Sequence, residues 1–275
     1  MNIRCSGLPG VTDCARRSAA KTFKKHLEDD GYKFTVLPPS VGAVVGTSAH
    51  KGVEQAMIAK FYRKQATAAD ILGPAMEAFK KETETGCIFD DTTPNHNVAE
   101  QQIRTLVSAY INGPGKTVVP LRMPDGTPAI ELALRANAGD GFTLTGTVDL
   151  AEDHGVEDFK TGSLSRNYSA QLGGYGLLAK SNGIIKDLQH LRIQFCKRVP
   201  KSKQQPQCQT QSYPVELSMQ YALAIVNHVK RDWMDYKANQ NIEMAFIANP
   251  CSLLCSPKYC PAYGTNFCQH GGVGK

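Results

Sequence analysis

Three residues in the second half of the chain carry the clearest chemical signal. They are Asp149, at the end of Gly146-Thr147-Val148-Asp149, and Asp158 and Lys160, in Asp158-Phe159-Lys160. Side chains alternate along a strand, so Asp158 and Lys160 share one face and Phe159 points to the other. Asp149, near the end of the preceding hairpin strand, can come alongside. Two carboxylates on neighbouring strands offer hard oxygens to a divalent cation, Mg²⁺ or Mn²⁺, which polarises a phosphate and activates water. A lysine beside them can orient that water or offset charge developing on the phosphorus oxygens. These types at this spacing suit phosphodiester hydrolysis. Asp-x-Lys by itself is weak, because two aspartates near turns beside a surface lysine give the same pattern.

The elements that must position these groups follow from periodicity. Residues 12–30 read as a helix with Thr12 or Asp13 as cap, 47–65 as a second capped by Thr47 or Ser48, and 68–82 and 96–111 as two more. A Gly- and Pro-dense stretch then breaks helical order. From residue 129 the period becomes two: AIELALRAN, a Gly-Asp-Gly turn and FTLTGTVDL make a hairpin, and VEDFKTG is a third strand. A helix over 167–181, strands in LQHLRIQFCKRV and CQTQSYPVEL, and a long helix over 215–239 complete an α/β core with helical decoration. The Gly113-Pro114-Gly115-Lys116-Thr117 segment ends like a phosphate loop. However, it has Tyr110 where that motif needs glycine, and it follows a helix instead of a strand.

At 275 residues the chain can bury a core as one large domain or two small ones, and 41% apolar with 20% charged residues is a globular composition. No apolar run approaches the roughly 18 residues of a membrane helix. The first residues, MNIRCSGLPGVTDC, lack a secretory hydrophobic region, so a soluble, cytoplasmic protein is expected. Lys and Arg exceed acids by 31 to 25. They crowd at Arg16, Arg17, Lys21, Lys24 and Lys25, and again at Lys197, Arg198, Lys201 and Lys203, either as solvated faces or as surface for a polyanion. Nine cysteines include four in the last 25 residues: Cys251, Cys255, Cys260 and Cys268. Without a signal peptide these read as metal ligands instead of disulfides, and Cys87, Cys196 and Cys208 as buried thiols.

Taken together, Gly-x-x-Asp149, Asp158-Phe159-Lys160-Thr161-Gly162, and Gln171 with Tyr175 four residues on resemble the PD-(D/E)XK nuclease superfamily. More narrowly they resemble its RecB-type exonuclease branch, which includes phage recombination exonucleases and CRISPR-associated iron–sulfur exonucleases. Gly46-Thr47-Ser48-Ala49-His50 with Glu54 resembles that branch's helical G-T-x-x-H segment. The resemblance implies a restriction-endonuclease-like central mixed β-sheet flanked by helices. It divides the chain into a helical region over 1–128, a nuclease core over 129–245 and a cysteine-rich tail over 246–275 that packs back on the N-terminus. It implies His50, Asp149, Asp158 and the Phe159 carbonyl as metal ligands, Lys160 as the catalytic lysine, and Gln171 and Tyr175 as contacts to the DNA backbone. His50 read alone is a core or capping histidine.

Of the other acids, Glu54 sits one turn beyond His50 as a supporting or exposed residue, Glu131 precedes the hairpin core and reads first as an outward-facing strand residue, with an approach to the metal as the alternative, and Glu157 should point away from Asp158. The tail, Cys251-x3-Cys255-x4-Cys260-x7-Cys268, resembles the branch's arrangement in which one early cysteine joins three late ones around a [4Fe–4S] cluster. Cys14 matches the early position best, with Cys5 the alternative. Cys255, Cys260 and Cys268 complete the set, and Cys251 is the spare. Four thiolates also suit structural Zn²⁺. The implied activity is a Mg²⁺- or Mn²⁺-dependent deoxyribonuclease, an exonuclease at DNA ends in recombination, repair or phage DNA metabolism, with DNA and a recombination protein as partners. Arg16, Arg17, Lys197 and Arg198 would then contact DNA phosphates. The alternatives are a non-catalytic DNA-binding scaffold of the same fold and a site-specific endonuclease.

Overall fold

The computed structural model describes residues 1–270, so the final five residues of the expected tail region lie outside it. The described strands form one mixed sheet: β1 Asn2–Arg4, β2 Ile130–Gly139, β3 Phe142–Glu152, β4 Gly155–Gly162, β5 His190–Lys197 and β6 Gln209–Tyr213. The helices are α1 Leu8–Val11, α2 Ala15–Thr22, α3 Lys24–Asp29, α4 Val41–Phe61, α5 Ala68–Thr83, α6 His96–Asn112, α7 Ser169–Ser181, α8 Val215–Asn239 and α9 Ile242–Ala245. The expected mixed sheet flanked by helices is present.

The β2–β3 hairpin reverses at Gly139, Asp140 and Gly141, all with positive φ, which is why two of the three are glycine. β3 then pairs antiparallel with β4 only from Leu150–Glu157 to Glu152–Gly155, after which the two strands part. β1 pairs in parallel with the other end of β3, at Thr143, Leu144 and Thr145. β4 runs parallel to β5 along its whole length, and β6 adds antiparallel to β5. The fork between β3 and β4 is where the candidate site lies.

Each sheet face has its own core. On one side α7, α8 and the N-terminal helices pack Leu8, Phe23, Leu172 and Trp233 against Val148 and Ile193. On the other, α4, α5 and α6 pack Val45, Phe79 and Ile103 against Leu150 and Phe159. Burying two apolar layers is the dominant stabilising term for such a sheet. The glycine-rich α7 is a helix because its glycines are contact points. A Cβ on Gly173 would stand 1.8 Å from the Ser218 carbonyl oxygen, so α7 and α8 touch backbone to backbone.

Several local expectations are corrected. α4 begins earlier than expected, capped by the Ser40 hydroxyl accepting from the Ala43 amide; Thr47 and Ser48 lie inside it, and Ser48 Oγ bonds back to the Val44 carbonyl. The 12–30 helix is two helices broken at Phe23, and its cap is Cys14, whose sulfur accepts from the Arg17 amide. Cys196 and Cys208 form a disulfide with Cα atoms 4.4 Å apart, so they are not two buried thiols, and Cys87 is only half-buried. The phosphate-loop resemblance at 113–117 fails for a visible reason. Pro114–Lys116 is a single 3₁₀ turn after α6, and the Gly115, Lys116 and Val118 carbonyls converge on the Lys60 ammonium at 2.7–2.8 Å. A turn that presents carbonyls to a cation is the wrong polarity for phosphate. No described helix is long and apolar enough to cross a membrane.

Candidate active site at the fork of the sheet

Asp149 occupies the first β3 position beyond the β3–β4 pairing. Parting strands leave backbone amides without partners, and here the side chain supplies one: Asp149 Oδ2 accepts the Phe159 amide at 2.7 Å. That bond ties the hairpin acid to the middle of Asp158-Phe159-Lys160. Alternation along β4 then sends Phe159 into the α4 side, where its ring lies 5.0 Å from His50 and 5.2 Å from Tyr110. Asp158 and Lys160 face α7.

Asp158 is fully buried. Its Oδ1 accepts from Gln171 Nε2 at 3.0 Å, and Gln171 also donates to the Tyr175 hydroxyl at 3.0 Å. Its Oδ2 lies 2.6 Å from the Lys160 ammonium, an ion pair without hydrogen-bond alignment. Gln171 and Tyr175 therefore do face the acid, as expected, but they are 3% and 4% exposed and cannot reach a DNA backbone. Their role is to fix Asp158.

His50 projects from α4 to the opposite edge of the fork. Its Nδ1 is 3.3 Å from Asp149 Oδ2 and 3.9 Å from Glu131 Oε1. Glu131 was expected to face outward, with an approach to the metal as the alternative; in the structure it lies opposite Asp149, between the Ile130–Leu150 and Leu132–Val148 pairs, and turns toward the same space. The hairpin register, counted back from the Gly-Asp-Gly turn, is the signal that would have found it. His50, Glu131 and Asp149 place ligand atoms within 4.8 Å of one another, a donor set that could hold a metal ion. They line a cavity of about 20 Å³, room for one water, together with Glu54, Tyr110, Glu157 and Gln194. Glu54 is held by Lys51 at 2.6 Å. Glu157 points away from Asp158, as alternation requires, and so lands in this cavity, where Gln194 donates to it at 3.0 Å.

The charges are strongly coupled. Burial opposes protonated His50, but Asp149 and Glu131 outweigh it and hold the imidazole up at about 10. Burial likewise opposes Asp149 ionisation, and His50 and Lys160 reverse that and lower its pKa. For Asp158 burial wins, reinforced by Asp149 and opposed by Lys160, and its carboxyl rises to about 7. Burial and Glu152 raise Glu157 to about 7 as well. One acid kept ionised beside another pushed upward is the environment expected of a cation site or a catalytic centre.

A second constellation lies at the chain ends. Cys14, Cys255, Cys260 and Cys268 line one cavity with Arg17, Asn249 and His270, whereas Cys251 is exposed and outside it, and Cys5 is buried elsewhere against α7. Cys14 Sγ accepts from the Arg17 and Asn249 amides, both at 3.4 Å. Burial raises the Cys260 and Cys268 thiols, with Arg17 and Arg16 respectively opposing.

The basic residues need correction. Arg16 is fully buried and donates to the Ile242, Phe246 and Phe267 carbonyls at 2.7–2.8 Å and to Glu243 at 2.9 Å. Arg17 is 5% exposed and paired with Asp13 and Ser252. Arg198 is 6% exposed and bound to Asp90 and Thr93. None of the three can serve as phosphate-tracking surface, because all are buried and paired within the protein. Lys197, Lys201 and Lys203 are exposed.

No protein-family model matches the chain, and no curated protein matches it. Among solved structures it is similar to the crystal structure of a "putative exonuclease" from Eubacterium rectale, at TM-score 0.53 and 12% identity. The match covers 84% of this chain and 80% of that one. At that identity the likeness establishes a shared fold.

Proposed function

We propose that the protein is a divalent-metal-dependent deoxyribonuclease of the PD-(D/E)XK kind, acting as an exonuclease on DNA ends in cytoplasmic recombination, repair or phage DNA metabolism. The observation that carries the reading is the fork itself. Asp149, Asp158 and Lys160 converge there with His50, and the Asp149–Phe159 bond locks their mutual register. The fold shared with an exonuclease-named structure is consistent with it.

In this reading Asp149 and Asp158 are the carboxylate ligands, His50 the nitrogen donor and the Phe159 carbonyl a further oxygen. The buried Asp158 Oδ2, which accepts no aligned hydrogen bond, fits a ligand atom awaiting a cation. Mg²⁺ or Mn²⁺ bound there would supply Lewis acidity and an activated water. Lys160, 22% exposed at its side chain, donates to the phosphorus oxygens or orients the attacking water. Gln171, itself braced by Tyr175, holds Asp158 in its rotamer. Exposed Lys197, Lys201 and Lys203 track phosphates. A non-catalytic scaffold would keep a buried carboxyl at a stability cost without return, which favours the enzyme.

Cys14, Cys255, Cys260 and Cys268 form the second centre, a [4Fe–4S] cluster that joins the chain ends. Structural Zn²⁺ is the alternative occupant of four thiolates. The nearby Arg16 and Arg17 guanidiniums would offset thiolate charge.

The test is digestion of end-labelled linear duplex and of closed circular DNA by the purified protein, with Mg²⁺ or Mn²⁺ and then with excess EDTA. Cleavage of linear DNA alone, abolished by EDTA, is expected. Cutting of circles would make it an endonuclease, and cleavage undiminished by EDTA would refute the metal mechanism.

A further inference from the structure

We propose that Glu131 is a cation-binding residue of this centre, acting with His50 and Asp149. The inference rests on the metal-dependent nuclease reading and adds a donor that Asp149, Asp158 and Lys160 do not reveal.

The first support is geometric. Glu131 Oε1 lies 3.9 Å from His50 Nδ1, and His50 Nδ1 lies 3.3 Å from Asp149 Oδ2. The three ligand atoms lie within 4.8 Å of one another, so small side-chain shifts bring one ion within ordinary bond lengths of about 2.0–2.2 Å of all of them. Oxygen, oxygen and imidazole nitrogen suit Mn²⁺.

The second support is the backbone. Glu131 has φ +49, and the other described non-glycine residues with positive φ are Arg63, Asp140 and Gln240. Arg63 follows the end of α4, Asp140 sits in the hairpin turn and Gln240 is the C-cap of α8, so each serves a chain reversal or a helix end. Glu131 alone among them lies within a strand, where no reversal requires the left-handed region. Strain of that kind persists where the surrounding structure holds a side chain in a needed position. Opposite Glu131, Val148 packs in the α7-side core and Leu150 in the α4-side core, on either side of Asp149. Both acids lie beside His50.

The experiment is titration of metal-free protein with MnCl₂ by calorimetry, with free Mn²⁺ followed in parallel by its electron paramagnetic resonance signal. Wild type, Glu131→Gln, Glu131→Asp and Asp158→Asn are compared at one pH, with melting temperatures measured in EDTA. We expect Glu131→Gln to weaken Mn²⁺ affinity tenfold or more, and Glu131→Asp to fall between it and wild type. If Glu131→Gln does not fold, Glu131→Gly, whose backbone accepts the positive φ, is titrated in its place. Wild-type affinity in the Glu131 variant together with loss in Asp158→Asn would overturn this inference alone. A wild type that binds no Mn²⁺ would overturn the nuclease reading and this inference with it, whereas unchanged affinity in Asp158→Asn beside a loss in Glu131→Gln would overturn Asp158 as a ligand and uphold Glu131.

Discussion

The Asp149 carboxylate accepts the backbone amide of Phe159 at 2.7 Å, so the hairpin acid and the Asp-x-Lys strand are joined through main chain. The bond fills the gap left where β3 and β4 separate, and it sets the distance between Asp149 and Asp158. Asp149 therefore has a structural duty that Asp158 lacks.

That difference predicts how two substitutions at Asp149 diverge. Asn keeps an oxygen for the Phe159 amide but gives up the charge facing His50, so Asp149→Asn should lose some stability and all cleavage. Asp149→Ala leaves a part-buried N–H without a partner and should cost about 1–3 kcal/mol in addition. Urea unfolding of both variants reads the difference, and equal stability would show that the bond contributes nothing.

Arg16 should behave as a structural residue. Its donors span α9, the following Phe246 carbonyl and Phe267, stitching the tail to α2. Arg16→Ala strands these acceptors and should destabilise by about 3 kcal/mol or more. Exposed Lys201→Ala should instead leave stability unchanged and weaken DNA binding, with a shallower salt dependence. Binding isotherms at several salt concentrations, paired with thermal unfolding, separate the two roles. A stable Arg16→Ala protein with weakened DNA affinity would reverse them.

The cysteines give a graded expectation. Cys14→Ser, Cys255→Ser, Cys260→Ser and Cys268→Ser should each lower bound iron and reduce the melting temperature by about 5 °C or more, whereas Cys251→Ser should change neither. Elemental analysis of anaerobically purified variants decides this. Iron lost from Cys251→Ser but retained in Cys14→Ser would place the centre within the tail.

What the sequence made legible follows from which interactions are local. The β2–β3 hairpin, α5 with its Thr67–Asp70 capping box, and α8 all show in periodicity and turn chemistry, because neighbours in sequence create them. Strand alternation placed Asp158 and Lys160 on one face, whereas Gln171 came only from the family resemblance. β1 escaped, since three residues carry no period and it exists only by pairing with Thr143–Thr145 across the chain. For Glu131 the outward reading was preferred over an approach to the metal, because its direction depends on a cross-strand register and one unusual φ. Arg16, Arg17 and Arg198 were misread because clustering in sequence says nothing of burial, and each is neutralised by a carboxylate 4 to 227 residues away.

Acid should loosen the tail through Glu243. Hydrogen bonds from Arg16 and His270 hold its carboxyl down at about 2, below the 4.5 of a free glutamate. A depressed folded pKa contributes stability above the unfolded value, and that contribution is lost as pH falls through about 4.5 to about 2. Glu243 is more than half exposed, so screening keeps the effect small. Between pH 5 and pH 2.5, roughly that window, the Glu243→Gln melting temperature should fall less than that of wild type. Parallel curves would remove Glu243 from the account.

The most direct measurement is cleavage by Lys160→Ala and Asp158→Ala of end-labelled linear duplex DNA in Mn²⁺, with binding of the same DNA measured in EDTA. The account predicts at least a hundredfold loss of cleavage in both, since each removes transition-state stabilisation worth about 3 kcal/mol or more. DNA affinity should stay within a few-fold of wild type, because it is spread over many phosphate contacts. Cleavage at wild-type rates in either variant would contradict the account and place any nuclease centre away from the fork.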